Sequence, residues 1–246
     1  MADRWAALEP HVGAFGPADD RPRPSVLLYH GCGGLRAHLP LYAQGAAEAG
    51  VRAFVVDSYA PRGWSPNYAR AVVCTGVRFW GRERAGDVLA AVAGVAARQD
   101  VDSGRLALAG WSHGAWGVMD LMTMRLDGGP EAGLADAQGA ALAGVRALFL
   151  AYPYGGFGAL SQRRPWRRAY PTLAVLCGRD HLTPLPVGRK LLERSRAAGV
   201  AADVWELPDA THSFDEPMSF PPMRHRPELT ATAVGRFRAF LASTLT

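Results

Sequence analysis

Leu106-Ala107-Leu108-Ala109-Gly110-Trp111-Ser112-His113-Gly114 is the stretch whose reading decides the architecture. An unbroken apolar run leads into a serine held between two glycines, and a helical pattern follows from Ala115 to Arg125. A serine at such a strand-to-helix turn occupies a sharp, strained corner that lifts its hydroxyl clear of the sheet. The flanking glycines are required because a Cβ at either position meets the neighbouring strand or helix. Gly-x-Ser-x-Gly is short enough to arise by chance in a chain with 28 glycines, so its surroundings carry the argument.

Those surroundings are strands alternating with helices. Short, continuously apolar or β-rich runs span 25–29, 52–56, 106–109, 145–152, 172–176 and 202–207. Helical stripes fall at Val88, Leu89, Val92 and Val95, at Val187, Leu191 and Leu192, and at Val234, Phe237, Leu241 and Leu245. Strands that are apolar throughout and separated by helices predict an α/β fold, with a mostly parallel sheet covered on both faces. The reading is one domain over 25–246, preceded by a Pro-, Gly- and Asp-rich irregular leader, 1–24, with room for one short edge strand. Residues 58–81 show no sustained period and carry Tyr59, Arg62, Trp64, Arg78 and Trp80; a loop that long is usually functional.

Length and composition narrow the function classes. At 246 residues the chain can bury a large core without staples. Met1 to Leu8 hold Asp3 and Arg4 and no apolar segment, and no run is long enough to span a bilayer, so the expected address is the cytoplasm. Cys32, Cys74 and Cys177 are odd in number and lack any ligand spacing; free thiols and no metal are expected. The net charge of +5 comes almost wholly from arginine, Lys190 being the only lysine. One arginine-rich run, Arg163-Arg164-Pro165-Trp166-Arg167-Arg168, has the composition of a phosphate- or base-binding loop. A single short run gives no extended footprint, so a solvated loop is favoured and no nucleic acid is expected.

Serine is a poor nucleophile unless a base removes its proton and a third group fixes the base. In sheets of this kind functional groups gather at the carboxyl ends of strands, which restricts the search. Gly178-Arg179-Asp180 follows one apolar run and Pro208-Asp209-Ala210-Thr211-His212 follows another. The resulting order, Ser112, Asp180, His212, is that of a nucleophile elbow with its acid and base. Asp209 is too near His212 in sequence to reach its ring, Glu206 lies inside a strand, and His225 is the alternative base. Asp180 also suits a turn or cap ahead of Thr183-Pro184. Two amides must face the developing oxyanion. One is the N–H of His113, whose side chain the corner sends elsewhere; the other is assigned to Cys32 in the glycine-rich loop His30-Gly31-Cys32-Gly33-Gly34. Cys32 as a nucleophile lacks a base placed with it, and as a small buried residue it needs none.

Taken together, Tyr29 to Leu35, Val56-Asp57-Ser58-Tyr59 with Pro61-Arg62-Gly63, Gly110 to Gly114, Gly178-Arg179-Asp180 and His212-Ser213-Phe214 resemble the dienelactone hydrolase branch of the α/β-hydrolases. The resemblance covers about residues 25 to 245 and implies a minimal fold with little or no lid, a nucleophile–Asp–His triad and no cofactor. Three departures stand out. The well-known members have cysteine where this chain has Ser112, and glutamate where it has Gly31. They also use an arginine shortly after the histidine to hold a substrate carboxylate, where this chain has Asp215-Glu216, a pair that repels a carboxylate.

The expectation is therefore a serine hydrolase acting on a small-molecule carboxylic ester, a lactone or thioester included, through an acyl-enzyme. Ser112 attacks, His212 moves the proton, Asp180 orients His212, and the amides of Cys32 and His113 hold the oxyanion. Tyr59, Arg62, Trp64, Arg78 and Trp80 are expected to line the substrate pocket. A peptidase or acyltransferase on the same triad, and a non-catalytic binding protein of the same fold, are the competing readings. Oligomeric state is not legible.

Overall fold

The computed structural model describes residues 1–127 and 131–245. Seven strands form one sheet in the order β1-β3-β2-β4-β5-β6-β7. They are β1 (Val12–Phe15), β2 (Arg23–Tyr29), β3 (Arg52–Val56), β4 (Val101–Trp111), β5 (Val145–Ala151), β6 (Thr172–Arg179) and β7 (Ala202–Thr211). β1 alone is antiparallel, with Val12 opposite Val56; every other pairing is parallel. This is the mostly parallel sheet with helices on both faces that the apolar runs predict, and it is the α/β-hydrolase fold.

Pleating divides the apolar strand residues between two cores, because successive side chains point to opposite faces. On β4, Leu106 and Leu108 enter one core, while Ala107, Ala109 and Trp111 enter the other. The first core is covered by α1 (Ala2–Leu8), α4 (Gly81–Ala96), α5 (His113–Thr123) and α6 (Leu185–Ala197); the second by α2 (His38–Glu48) and α7 (Pro227–Leu245). Small residues on the central strands let the helices approach closely: alanine makes up much of the second face.

Residues 1–24 depart from the irregular leader. α1 packs its Leu8 into the first core, and β1 extends the sheet at its edge. Paired backbone and one buried leucine are enough to tie down a segment whose composition reads as loop. The long segment 58–81 also contains a short helix, α3 (Pro66–Val72), started by Ser65, whose hydroxyl accepts the Tyr68 N–H. No helix among the described residues is long and apolar enough to cross a membrane.

Candidate active site

Parallel strands present their carboxyl ends on one side, and three of them, β4, β6 and β7, end immediately before Ser112, Asp180 and His212. Ser112 sits at the β4–α5 corner with φ 51° and ψ −111°, outside the regions open to ordinary residues. The corner is held by its surroundings: the Ser112 N–H donates to the Ala151 carbonyl at 2.9 Å, and the Ser112 carbonyl accepts from the N–H groups of Trp116 and Tyr154. The flanking glycines are sterically required. A Cβ on Gly114 would lie 2.0 Å from the Tyr29 carbonyl oxygen, and one on Gly110 would lie 2.5 Å from the Ala115 nitrogen. Tyr152 and Ser213, which line the same cavity as Ser112, also have positive φ. Strain of this kind persists only where neighbours over-determine it.

His212, at the end of β7, brings its Nε2 to 2.9 Å from Ser112 Oγ and its Nδ1 to 2.7 Å from Asp180 Oδ2. An ionised Asp180 can only accept, so Nδ1 carries the proton and Nε2 is left to accept from the serine hydroxyl. Asp180 Oδ1 accepts the N–H groups of Leu182 and Thr183, both at 2.8 Å. The turn-forming use of Asp180 and its contact with His212 are thus served by different oxygens of one carboxylate. All three side chains are buried, His212 to 2 % exposure. Tyr152 packs its ring against the imidazole at 4.7 Å between centroids. The rejected candidates lie elsewhere: Asp209 pairs with Arg179 at the surface, Glu206 with Arg189, and His225 lines a separate surface groove beside α7.

The two amides assigned to the oxyanion come from the elements flanking the serine. His113 is the first residue of α5, where N–H groups have no intrahelical acceptor. Its side chain turns inward, Nε2 lying 2.6 Å from the Phe79 carbonyl; burial, then the nearby Arg84 charge, pushes its pKa down to about 3. Cys32 lies in the loop after β2 and lines the cavity with Gly31, Gly33 and Ser112. His30 fixes that loop. Its Nδ1 donates to the Gly31 carbonyl at 2.7 Å, and its Nε2 accepts the Ser58 N–H at 3.2 Å. Burial, with the neighbouring Arg84 charge, lowers the His30 pKa to about 4, consistent with a neutral ring filling both roles.

The cysteine expectation is overturned at this point. Cys32 is bonded to Cys74, with Cα atoms 5.1 Å apart across 42 residues of sequence, and only Cys177 is free and buried. The bridge fastens the glycine-rich loop after β2 to the segment after α3. No local spacing announces a link between two distant loops, which is why counting cysteines missed it.

The aromatic and arginine residues of 58–81 are placed differently from the expected pocket lining. Tyr59 is buried, its hydroxyl donating to the Cys32 carbonyl of the glycine-rich loop at 3.0 Å. Arg62 forms a two-pronged ion pair with the fully buried Asp87, 2.9 Å on each side. Such a pair locks a loop to a helix rather than offering a guanidinium to a ligand. Trp64 and Arg78 line a separate open cleft that holds none of Ser112, Asp180 and His212, and of the five only Trp80 reaches the cavity beside Ser112. Nor do Asp215 and Glu216 form a repelling pair. Asp215 points into the core and accepts from Tyr42, Trp111 and Tyr152, while Glu216 meets His38 Nδ1 at 2.8 Å and lines the cavity. In the arginine-rich run, Trp166 is buried in the first core, not displayed for stacking. Among the described residues no cluster of His, Cys, Asp and Glu could hold a metal ion.

Two further groups escape sequence reading. Arg84 is completely buried, donating to the His30 carbonyl at 3.3 Å and lying over the Tyr59 and Phe79 rings. Asp120, on α5, accepts from Trp116 Nε1 and the Ser161 N–H, and burial raises its pKa to about 7. Both sit on helix faces that read as ordinary amphipathic surface.

A sheet of this order with a serine at the β4 corner and its partners at later strand ends places the chain in the α/β-hydrolase fold class. Comparison with solved structures makes the likeness particular. The chain aligns with a Klebsiella pneumoniae protein assigned to the dienelactone hydrolases, at TM-score 0.68 and 19% identity over 94% of this chain and 92% of that one. It aligns with the dienelactone hydrolase-like promiscuous phosphotriesterase P91 from metagenomic libraries at TM-score 0.68 and 18% identity, covering 96% and 92%. Esterase 2 of Thermogutta terrifontis, phosphorylated by paraoxon, aligns at 0.69 and 16%, covering 94% and 88%. No protein-family model and no curated protein sequence matches the chain.

Proposed function

We propose that the protein is a serine hydrolase of the dienelactone hydrolase-like group, cleaving a carboxylic ester through an acyl-enzyme. The observation that carries the reading is the unbroken hydrogen-bonded line from Asp180 through His212 to Ser112, standing beside the amides of Cys32 and His113. In the first half-reaction Ser112 Oγ adds to the ester carbonyl as His212 Nε2 takes its proton, the oxyanion turning toward the two amides. The carbon–oxygen bond to the alcohol then breaks, and the alcohol leaves with the proton held on His212. Water reverses the sequence and frees the acid. Asp180 keeps the imidazole in the required tautomer and stabilises its charged form. The named solved neighbours, an esterase and a dienelactone hydrolase-like phosphotriesterase among them, agree with ester cleavage.

A fluorophosphonate should label the protein at Ser112, and Ser112→Ala should abolish both the label and turnover of a 4-nitrophenyl ester, a loss of about 10⁶ in kcat. Asp180→Asn should cost about 10⁴ while leaving the serine labelled slowly. Full turnover by Ser112→Ala would discard the mechanism. A binding-only role gives no reason for three converging side chains, and an acyltransferase would make transfer to an added alcohol outrun hydrolysis.

A further inference from the structure

Two cavities meet at Ser112, and their chemistry differs. The larger, about 280 Å³, contains His212 in its wall, together with charged groups such as Arg36 and Glu216. The smaller, about 170 Å³, lies across a partition formed by the Cys32–Cys74 bridge and Leu182, which face both. Its walls include Trp80, Trp116, Tyr154 and Phe157, and no Asp, Glu, Lys or Arg side chain lines it. His212 is absent from this wall.

We infer that the smaller cavity receives the acyl half of the substrate, and that this acyl group carries one aromatic ring; the inference rests on the serine-hydrolase reading above. The direction follows from proton bookkeeping. The proton taken from Ser112 by His212 Nε2 must pass to the departing alcohol oxygen, so that oxygen has to lie on the His212 side. The alcohol therefore leaves through the larger cavity, and the group bonded to the acyl carbon points the opposite way, into the smaller one. In deacylation water enters where the alcohol left, bonds to the acyl carbon, and returns the serine its proton.

Size and surface specify the group. An apolar cavity of about 150 Å³ accepts a benzene molecule. The 170 Å³ here fits one ring and its methylene more closely than a fused bicycle. The walls are fixed aromatic surfaces. Trp116 is pinned by its Nε1 donating to Asp120 at 2.8 Å, and Trp80 by its Nε1 donating to the Gly76 carbonyl at 2.8 Å. Trp116 packs on Tyr154 with centroids 4.8 Å apart, and Trp80 on Phe157 at 5.8 Å. Phe157 is 77% and Leu182 45% exposed, apolar rims that an arriving ring would cover.

The test uses 4-nitrophenyl esters, so that the leaving group is constant and only the acyl part changes. Phenylacetyl should exceed hexanoyl in kcat/KM by about twofold to tenfold, the range of aromatic pair preferences. 2-Naphthylacetyl should fall below both. Phe157→Ala should lower the phenylacetyl-to-acetyl ratio by about fivefold, whereas Met218→Ala, in the larger cavity, should leave that ratio as it is. An enzyme labelled at Ser112 that shows no phenylacetyl preference, or whose preference responds to Met218→Ala and not to Phe157→Ala, overturns the inference alone. Failure of Ser112 labelling, with Ser112→Ala active, overturns the hydrolase reading together with it.

Discussion

Breaking the Cys32–Cys74 bridge tests stability and site geometry in one experiment. The bridge closes a loop of 42 residues, and the loop-entropy relation then gives about 13 cal/mol/K, or about 4 kcal/mol at 25 °C. For a domain of this size each kcal/mol moves the melting temperature by about 2 to 4 °C, so Cys74→Ser should melt about 8 to 16 °C lower. The loop that carries Cys32 keeps its other ties, the Tyr59 hydroxyl on the Cys32 carbonyl and His30 on the Gly31 carbonyl, so the variant should fold. It should lose activity mainly in kcat, because an oxyanion amide favours the transition state over the bound ester, and aiming it less firmly gives up that difference. Scanning calorimetry with and without a phosphine reductant reads the first effect, and steady-state kinetics the second. Thiol titration of the denatured, unreduced protein should find one reactive group, Cys177. Three reactive thiols, or a melting point within about 2 °C of the parent, would refute the reasoning. A bridge that survives purification would also argue for an oxidising compartment in place of the expected cytoplasm.

Other outcomes follow from single contacts. Gly114→Ala sets a Cβ against the Tyr29 carbonyl and should cost at least about 3 kcal/mol, while Gly235→Ala on α7, with open space around it, should be neutral or stabilising by up to about 1 kcal/mol; urea unfolding separates them. His113 is buried neutral, with a folded pKa near 3 against an ordinary 6.5. Below pH 6.5 the unfolded chain binds a proton that the native state refuses, so stability falls as pH drops from 6.5 toward 3. His113→Phe should show a flatter melting temperature across that window, and an unchanged slope would count against the assignment. Asp215→Asn keeps the shape but weakens the acceptor for Tyr42, Trp111 and Tyr152, and should cost about 1 to 3 kcal/mol in urea unfolding.

The sheet was legible because its strands are buried on both faces and therefore apolar throughout. All six expected strands are present, most extended by a few residues, and Ser112, Asp180 and His212 stand where strand ends put them. The edge strand that 1–24 leave room for is β1, but its bounds and α1 were not legible, since a strand of four residues and a helix with one buried leucine carry almost no periodic signal. α2 was missed for another reason: Gly45 and Pro40 within it mimic a loop, yet Gly45 is what allows close packing against Val234 of α7. Pocket lining was the weakest reading. Aromatic side chains after a strand end can face a ligand or hold the loop down, and for Tyr59 and Arg62 the nearest unsatisfied groups were a carbonyl at Cys32 and a carboxylate at Asp87.

On the proposed hydrolase reading, the proton-handling groups and the surfaces that would choose a substrate belong to different parts of the chain. Ser112, Asp180 and His212 are set by the tips of β4, β6 and β7, whereas Trp80, Tyr154, Phe157 and Met218 hang on excursions beyond β3, β5 and β7. Transplanting or redrawing those excursions would retune what is accepted without disturbing the reacting line. A laboratory lineage begun from this scaffold would accordingly gather its useful changes near 73–80, 154–158 and 217–223.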